Sequence, residues 1–180
     1  MSNDLAPHSA LVRFPATGEP HLLLEGRLRW PGGDAPARAG VVVCHPDPRY
    51  AGSMDNPIVQ VVAEEAAREG IAALQFNFRG VGRSEGTIEA GAGELRDVAG
   101  ALAFLSGRVG PATPLFVAGY SFGALMALRT AEREPAVAGA AMIALPQSYV
   151  RPADAPARDI PRLFVFGGRD HITEVAWGTE

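Results

Sequence analysis

One pentapeptide of the sequence has the residue types of a nucleophilic site. Residues 119–123 read G-Y-S-F-G and match G-x-S-x-G, a pattern in which a sharp strand-to-helix turn exposes a serine hydroxyl. An apolar run precedes the motif, and a stretch rich in Ala, Leu and Met follows it, so the flanking strand and helix that the turn requires are both predicted. The pattern predicts that Ser121 is a nucleophile. In the alternative interpretation, Ser121 only caps the following helix.

An acyl-transfer site also needs backbone N–H groups that stabilise negative charge on the substrate oxygen. Phe122 N–H lies at the predicted helix N-terminus, where the helix dipole is favourable for that charge. The second donor should come from the loop after a neighbouring strand, which reads H-P-D-P-R-Y over residues 45–50. Because proline has no N–H, Asp47 N–H is the first free donor past His45. The Asp47 carboxylate would repel the developing charge unless it turns to solvent or pairs with Arg49.

Other side chains of these loops are expected to support the site. His45 stands at a strand end, and we expect it to hold the loop by hydrogen bonds rather than to act in catalysis. Residues 146–161 form only a short cap or loop, too short for a large lid. We therefore expect an open cleft, lined by residues such as Tyr50, Phe122 and Tyr149, that suits short acyl groups.

The acid of a catalytic triad should follow a late strand. Residues 163–170 provide a strand, a Gly-Gly bend and a carboxylate in that order, and this predicts Asp170 as the acid. Alternatively, Asp170 forms an Asx turn or caps a helix over residues 172–177. His171 is adjacent to this acid, and a neighbour on the same turn cannot readily reach both the acid and Ser121. We therefore do not expect His171 to be the base.

Apolar strands and amphipathic helices alternate along the chain. The predicted strands are residues 22–30, 40–44, 71–76, 114–118, 137–145 and 163–166, and the predicted helices are residues 57–69, 95–105 and 124–134. The first of these strands is expected to be an antiparallel edge strand, and residues 1–20 to be flexible or to form an edge strand. This order predicts a single α/β domain over residues 1–180, doubly wound, with a mainly parallel sheet and helices on both faces.

Composition excludes several classes of function. The 180 residues, 47% apolar and 20% charged, fit one globular domain. A net charge of -4 without any Lys/Arg run argues against a nucleic-acid partner, and no apolar stretch is long enough to cross a membrane. The N-terminus has no secretory signal pattern, so we expect a cytoplasmic protein. The single cysteine, Cys44, cannot form an internal disulfide or hold a metal alone, and no metal site is predicted.

A glycine-rich segment admits a dinucleotide-binding interpretation. Gly80, Gly82 and Gly86 follow a predicted strand, as the glycines of a phosphate-binding loop do. However, the third glycine comes one residue late, no helix starts directly there, and no acidic residue ends the next strand at Ala118. We therefore reject a dinucleotide-binding oxidoreductase.

Several of these segments together resemble the α/β-hydrolase superfamily, in particular its small dienelactone-hydrolase-like members. The resemblance covers the chain from Leu22 onward and is carried by residues 45–48 with 52–56, 76–86, 119–123 and 167–170. It implies Ser121 as the nucleophile and Asp170 as the triad acid. It also implies hydrolysis of a small-molecule carboxylic ester or thioester through an acyl-enzyme, without a cofactor.

The sequence departs from this family in one respect. Such proteins place a base histidine after one further strand, some tens of residues beyond the acid, whereas this sequence ends at Glu180. The resemblance therefore implies an α/β-hydrolase fold without its C-terminal strand and helix. The alternative is a catalytically impaired binding or scaffold protein of that fold. Residues 163–166 should then form an edge strand, through which we expect a homodimer or aggregation.

Overall fold

The computed structural model describes residues 6–33 and 36–168. Within these residues one seven-stranded sheet is accompanied by three α-helices. The strands are β1 (His8–Ala16), β2 (Glu19–Trp30), β3 (Ala39–Cys44), β4 (Ile71–Phe76), β5 (Leu115–Tyr120), β6 (Val137–Ile143) and β7 (Arg162–Val165). The helices are α1 (Pro57–Arg68), α2 (Ala92–Val109) and α3 (Phe122–Arg133). None of these helices is both long and apolar enough to span a membrane.

The sheet is mainly parallel. Its strand order is β1-β2-β4-β3-β5-β6-β7, and the five strands from β4 to β7 in that order run parallel to their neighbours. β2 is antiparallel to both β1 and β4. The predicted doubly wound α/β fold is therefore confirmed, and the carboxyl ends of β3, β5, β6 and β7 meet at one edge of the sheet.

Apolar side chains of the central strand β3 are buried on both faces of the sheet. Val42 belongs to the larger core cluster, which also contains buried residues of α2 and α3. Val41 and Val43 point the other way, into a cluster with Val59 and Ala63 of α1. Because successive strand residues face opposite sides, a continuous β-branched run fits a strand between two helical layers.

The first helix begins and ends where the sequence predicts. Asn56 Oδ1 accepts a hydrogen bond from Ile58 N–H at 3.0 Å, and Pro57 occupies the first helical position, where no N–H is needed. Past the last residue of α1, Gly70 has a φ of 78° that glycine adopts without strain. The chain then enters β4 directly.

The edge strand at this side of the sheet lies within residues 1–20, one of the two alternatives predicted for that segment, and not at residues 22–30. Residues 22–30 are antiparallel as expected but do not form the edge, because β1 pairs with β2 and places Phe14 opposite Leu24. The Phe14 ring is buried and stacks on Phe104 of α2, with ring centroids 5.1 Å apart. Pro15 is tolerated in β1 because no other described strand pairs with the outer side of β1.

Candidate active site

Ser121 connects β5 to α3 through a strained backbone conformation. Its φ is 55° and its ψ is -117°, a region that costs a non-glycine residue on the order of 1–3 kcal/mol. The side chain is half-buried and makes no capping hydrogen bond to α3. The interpretation of Ser121 as a simple helix cap is therefore wrong. Strain of this kind persists only where the surrounding structure enforces it, and it is typical of functional sites.

Two glycines make the sharp turn possible. A Cβ atom on Gly119 would lie 2.1 Å from the carbonyl oxygen of Gly123, and a Cβ atom on Gly123 would lie 2.3 Å from the carbonyl oxygen of Cys44. Neither position has room for a side chain. The close approach brings the first turn of α3 against the end of β3, and thus against the loop that follows β3.

The first amides of α3 are available for a ligand. Ser121 N–H donates to Ile143 O of β6 at 2.9 Å, and Ser121 O accepts from Ala124 N–H at 2.9 Å. Phe122 N–H, in contrast, donates to no acceptor among residues 6–33 and 36–168. Free N–H groups at a helix N-terminus, together with the helix dipole, favour negative charge.

The loop after β3 leaves the sheet beside this turn. Cys44 pairs with Gly119, so β3 and β5 reach the sheet edge at the same level. Asp47 N–H has no acceptor in the described part of the chain, as is the case for Phe122 N–H. The two amides predicted as oxyanion donors therefore lie at the start of α3 and in the loop after β3, and neither has an acceptor among the described residues.

The His45 ring contacts the backbone at the start of this loop. Its buried ring contacts Pro46 O through Nδ1 at 2.6 Å and accepts a hydrogen bond from Phe78 N–H through Nε2 at 3.1 Å. These partners assign the proton to Nδ1, and burial lowers the pKa of His45 to about 4. Because both ring nitrogens are engaged, neither is free to accept a proton from Ser121.

The Asp47 carboxylate pairs with Arg49 at the rim of the site. Arg49 Nη2 lies 2.6 Å from Asp47 Oδ2, and hydrogen bonds from Arg49 lower the pKa of Asp47. Tyr50 and Tyr149 are 85% and 63% exposed. The side chains expected to line the cleft are thus accessible from solvent.

The glycine-rich segment after β4 is held by its own hydrogen bonds. Gly80 N–H donates to Glu85 O at 3.1 Å, Val81 N–H donates to Phe78 O at 3.1 Å, and Arg83 N–H donates to Glu25 Oε1 at 2.6 Å. Amides with protein acceptors cannot cradle a phosphate. The segment is a structural connection, in agreement with the rejection of a dinucleotide site.

A buried ion pair that sequence reasoning missed anchors the same segment. Arg79 and Asp97 are both fully buried, and Arg79 donates to Asp97 from its backbone N–H, Nε and Nη2 at 2.8–3.2 Å. Glu19 and Glu89 provide further carboxylates to Arg79. The signal in the sequence was Asp97 itself, a carboxylate within the apolar stripe of α2.

Residues 146–161 are fastened along α3. Arg129 of α3 makes two hydrogen bonds of 2.9 Å to the buried Asp154. Arg158 donates to Ala131 O at 2.6 Å and to Glu134 O at 2.8 Å, both near the C-terminal end of the helix. This loop therefore packs against α3 as a fixed short cap.

An apolar cavity of about 380 Å³ lies between this cap, α3 and β7. Its lining residues are Leu128, Leu145, Gln147, Val150, Arg151, Pro152, Asp154, Ala155, Pro156, Phe164 and Phe166. Leu145 follows β6 by two residues, and Ile143 at the end of β6 accepts the hydrogen bond from Ser121 N–H. The residues that line the cavity do not include Ser121, Phe122 or Asp47.

Asp170 and His171 lie outside the described residues, so their predicted roles stay predictions. The strand that precedes them is in a position compatible with a triad acid. β7 pairs with β6 through Ile143 and Val165, and the segment after it leaves the sheet at the same edge as Ser121. Sequence reasoning had located this strand but not its pairing.

Comparison with known proteins gives a consistent result. The family model described as serine aminopeptidase, S33, matches residues 35–165. An uncharacterized protein of Rickettsia prowazekii is 32% identical over 154 residues, which are 82% of this chain and 64% of the relative. The chain therefore spans less than two thirds of the length of that relative.

Two solved structures superpose on most of the chain. A Xanthomonas campestris member of the α/β serine hydrolases without a lid has a TM-score of 0.82 at 28% identity, covering 94% of this chain and 75% of its own. An α/β serine hydrolase homologue from Coxiella burnetii has a TM-score of 0.81 at 28% identity, covering 97% of this chain and 80% of its own.

Proposed function

This chain belongs to the serine aminopeptidase (S33) family and to the α/β-hydrolase superfamily, and we propose that it cleaves carboxylic esters or thioesters through an acyl-enzyme on Ser121. The observation that carries the proposal is the backbone of Ser121, with φ 55° at a non-glycine residue directly before the unpaired Phe122 N–H. The strained turn and the adjacent donor are the two parts that nucleophilic attack on a carbonyl needs.

The proposed reaction starts with attack of Ser121 Oγ on the substrate carbonyl. Phe122 N–H and Asp47 N–H receive the negative charge that develops on the carbonyl oxygen. The general base takes the hydroxyl proton of Ser121 during the attack and returns it to the leaving alcohol or thiol as the bond to the acyl carbon breaks and the acyl-enzyme forms. Water then attacks the acyl-enzyme and gives a proton to the same base, which passes it to Ser121 Oγ as the carboxylic acid is released. Asp170 is proposed as the acid that orients the general base. The sequence does not assign that base, and His45 has no ring nitrogen free for the role.

Within residues 45–52, the loop after β3 has no free carboxylate to bind a substrate with a free α-amino group. An aminopeptidase must neutralise the substrate ammonium group with an acceptor such as a carboxylate. Asp47, the carboxylate beside the predicted oxyanion donors, is already paired with Arg49. We therefore propose a substrate without that positive charge.

The surroundings of Ser121 support an acyl group of modest size. Residues 146–161 form a short cap that packs along α3, and Tyr50 and Tyr149 are exposed, so the described residues include no large lid over the site. We expect p-nitrophenyl esters with short acyl chains to be hydrolysed faster than those with long chains. A preference for long chains would argue against this substrate class.

Covalent labelling tests the nucleophile. A fluorophosphonate should label the wild-type chain, and Ser121→Ala should abolish both the label and ester hydrolysis. Ser148→Ala is the matched control, because Ser148 is an exposed serine in the adjacent loop, and it should be labelled like the wild type. Equal labelling of wild type and Ser121→Ala would overturn the proposal in favour of a binding or scaffold protein of the same fold.

A further inference from the structure

We propose that Arg49 is a positioning residue of this site, which neutralises the Asp47 carboxylate and so allows Asp47 N–H to serve as an oxyanion donor. The inference rests on the proposed function. In the loop after β3, Asp47 offers a free amide to a developing negative charge, but its own carboxylate would repel that charge. Neutralisation by Arg49 removes this repulsion.

Arg49 engages both oxygens of the Asp47 carboxylate. Arg49 Nε lies 3.0 Å from Oδ1 and 3.1 Å from Oδ2, and Nη2 lies 2.6 Å from Oδ2. The backbone N–H of Arg49 adds a fourth hydrogen bond, at 2.9 Å to Oδ1. A guanidinium group that binds a carboxylate in this way fixes its direction as well as cancelling its charge.

The other backbone N–H groups of the loop already donate to acceptors within the loop. Tyr50 N–H and Gly52 N–H both donate to Asp47 O, at 3.0 and 3.1 Å, and Ala51 N–H donates to Pro48 O at 3.1 Å. Pro46 and Pro48 have no N–H. Within residues 46–52, Asp47 N–H is therefore the amide left for a substrate oxygen.

The loop has little freedom to adjust if the carboxylate moves. A Cβ atom on Gly52 would lie 2.1 Å from Pro46 O, so the two ends of the loop are in contact. His45 Nδ1 contacts the same carbonyl oxygen of Pro46 at 2.6 Å. Since the backbone is fixed on both sides, loss of Arg49 should change the charge at the site more than the shape of the loop.

Two charge-neutralising variants test the role of Arg49. Arg49→Gln leaves an uncompensated carboxylate, and we expect kcat for a p-nitrophenyl ester and the rate of fluorophosphonate labelling to fall about tenfold or more at pH 7.5, with KM little changed. The Asp47→Asn/Arg49→Gln double variant removes the charge and should recover most of the loss. Protonation of the free carboxylate should also raise the relative activity of Arg49→Gln as the pH falls toward about 4.

Arg38→Gln is the matched control, since Arg38 is an exposed arginine paired with Glu69 on another part of the surface, and its rates should equal those of the wild type. Wild-type rates in Arg49→Gln, or a double variant as slow as Arg49→Gln, would overturn the role of Arg49 alone. A wild-type chain that neither hydrolyses esters nor reacts with the fluorophosphonate would overturn the proposed function together with it.

Discussion

Each ring nitrogen of His45 has a partner of a different kind, and this makes protonation of the side chain incompatible with its native contacts. Nδ1 lies against the carbonyl oxygen of Pro46, whereas Nε2 accepts from Phe78 N–H. A second ring proton would point at that N–H group, in a buried position where charge is already unfavourable. The uncharged His45 ring thus holds the loop after β3 in place through its two hydrogen-bonding contacts.

This arrangement predicts a loss of stability at mildly acidic pH. The pKa of His45 is about 4 in the fold, whereas an unfolded histidine titrates near about 6.5. Protons therefore bind the unfolded state preferentially, so the contribution of His45 is complete above about pH 6.5 and declines as the pH falls toward 4. We expect the free energy of unfolding, measured in urea, to fall by about 2 kcal/mol between pH 7 and pH 5.

His45→Gln is the control for this effect, because its amide can still accept from Phe78 N–H but does not titrate. The variant should be less stable at pH 7 and should lose less than half as much stability on acidification. The same pH dependence in wild type and variant would assign the effect to other groups.

At the scale of elements, α3 connects the parts of the site. Its first turn carries the amides beside Ser121, and Gly123 in that turn packs against the end of β3. Its body holds the cap through Arg129 and Asp154, which form a buried ion pair. Removing one partner of such a pair would leave an unpaired buried charge, which is strongly unfavourable. The ion pair therefore holds the cap against the helix.

The turn before α3 should tolerate no side chain at Gly119. Gly119→Ala would place Cβ 2.1 Å from the backbone of Gly123, and we expect a loss of about 1–3 kcal/mol in the free energy of unfolding together with loss of serine labelling. Gly107→Ala is the matched substitution. Gly107 is an exposed residue inside α2 with open space around its Cβ position, and the change should stabilise by about 0.5–1 kcal/mol. Equal stabilities of the two variants would contradict the packing described for the turn.

At the scale of the whole molecule, the sheet has two very different edges. β1 forms one edge of the sheet, and the Phe14 side chain of β1 packs into the core. β7 forms the other edge of the described sheet, with Leu163 59% and Val165 42% exposed. An exposed apolar strand with unpaired backbone groups is a template for pairing with another chain.

We expect the 180-residue chain to self-associate through β7. Size-exclusion chromatography with light scattering should show a dimer or larger species as concentration rises. Val165→Lys puts a charge on this edge and should shift the chain toward the monomer. Val61→Lys makes the same change on the exposed face of α1 and should behave like the wild type. A wild-type chain that stays monomeric at high concentration would contradict this expectation.

Local chemistry in the sequence determined the fold class and most elements. The β-branched run of β3, the Asn56-Pro57 start of α1 and the G-x-S-x-G turn each specify structure through neighbours in the chain, and comparison with relatives confirms the predicted α/β-hydrolase fold. Ser121 and the loop after β3 could likewise be identified from local sequence patterns. Parallel strands bring their carboxyl ends together whatever the details of packing.

Only the tertiary structure decided which distant residues meet. The sequence did not reveal that Arg79 is buried against Asp97 or that both nitrogens of His45 are occupied. Apart from Pro46, the partners in these contacts lie 18 or more residues apart in the chain, and no periodicity or local motif encodes their pairing. Their geometry arises when the layers pack, because a buried charge or hydrogen-bonding group must then find whichever partner the fold brings within reach.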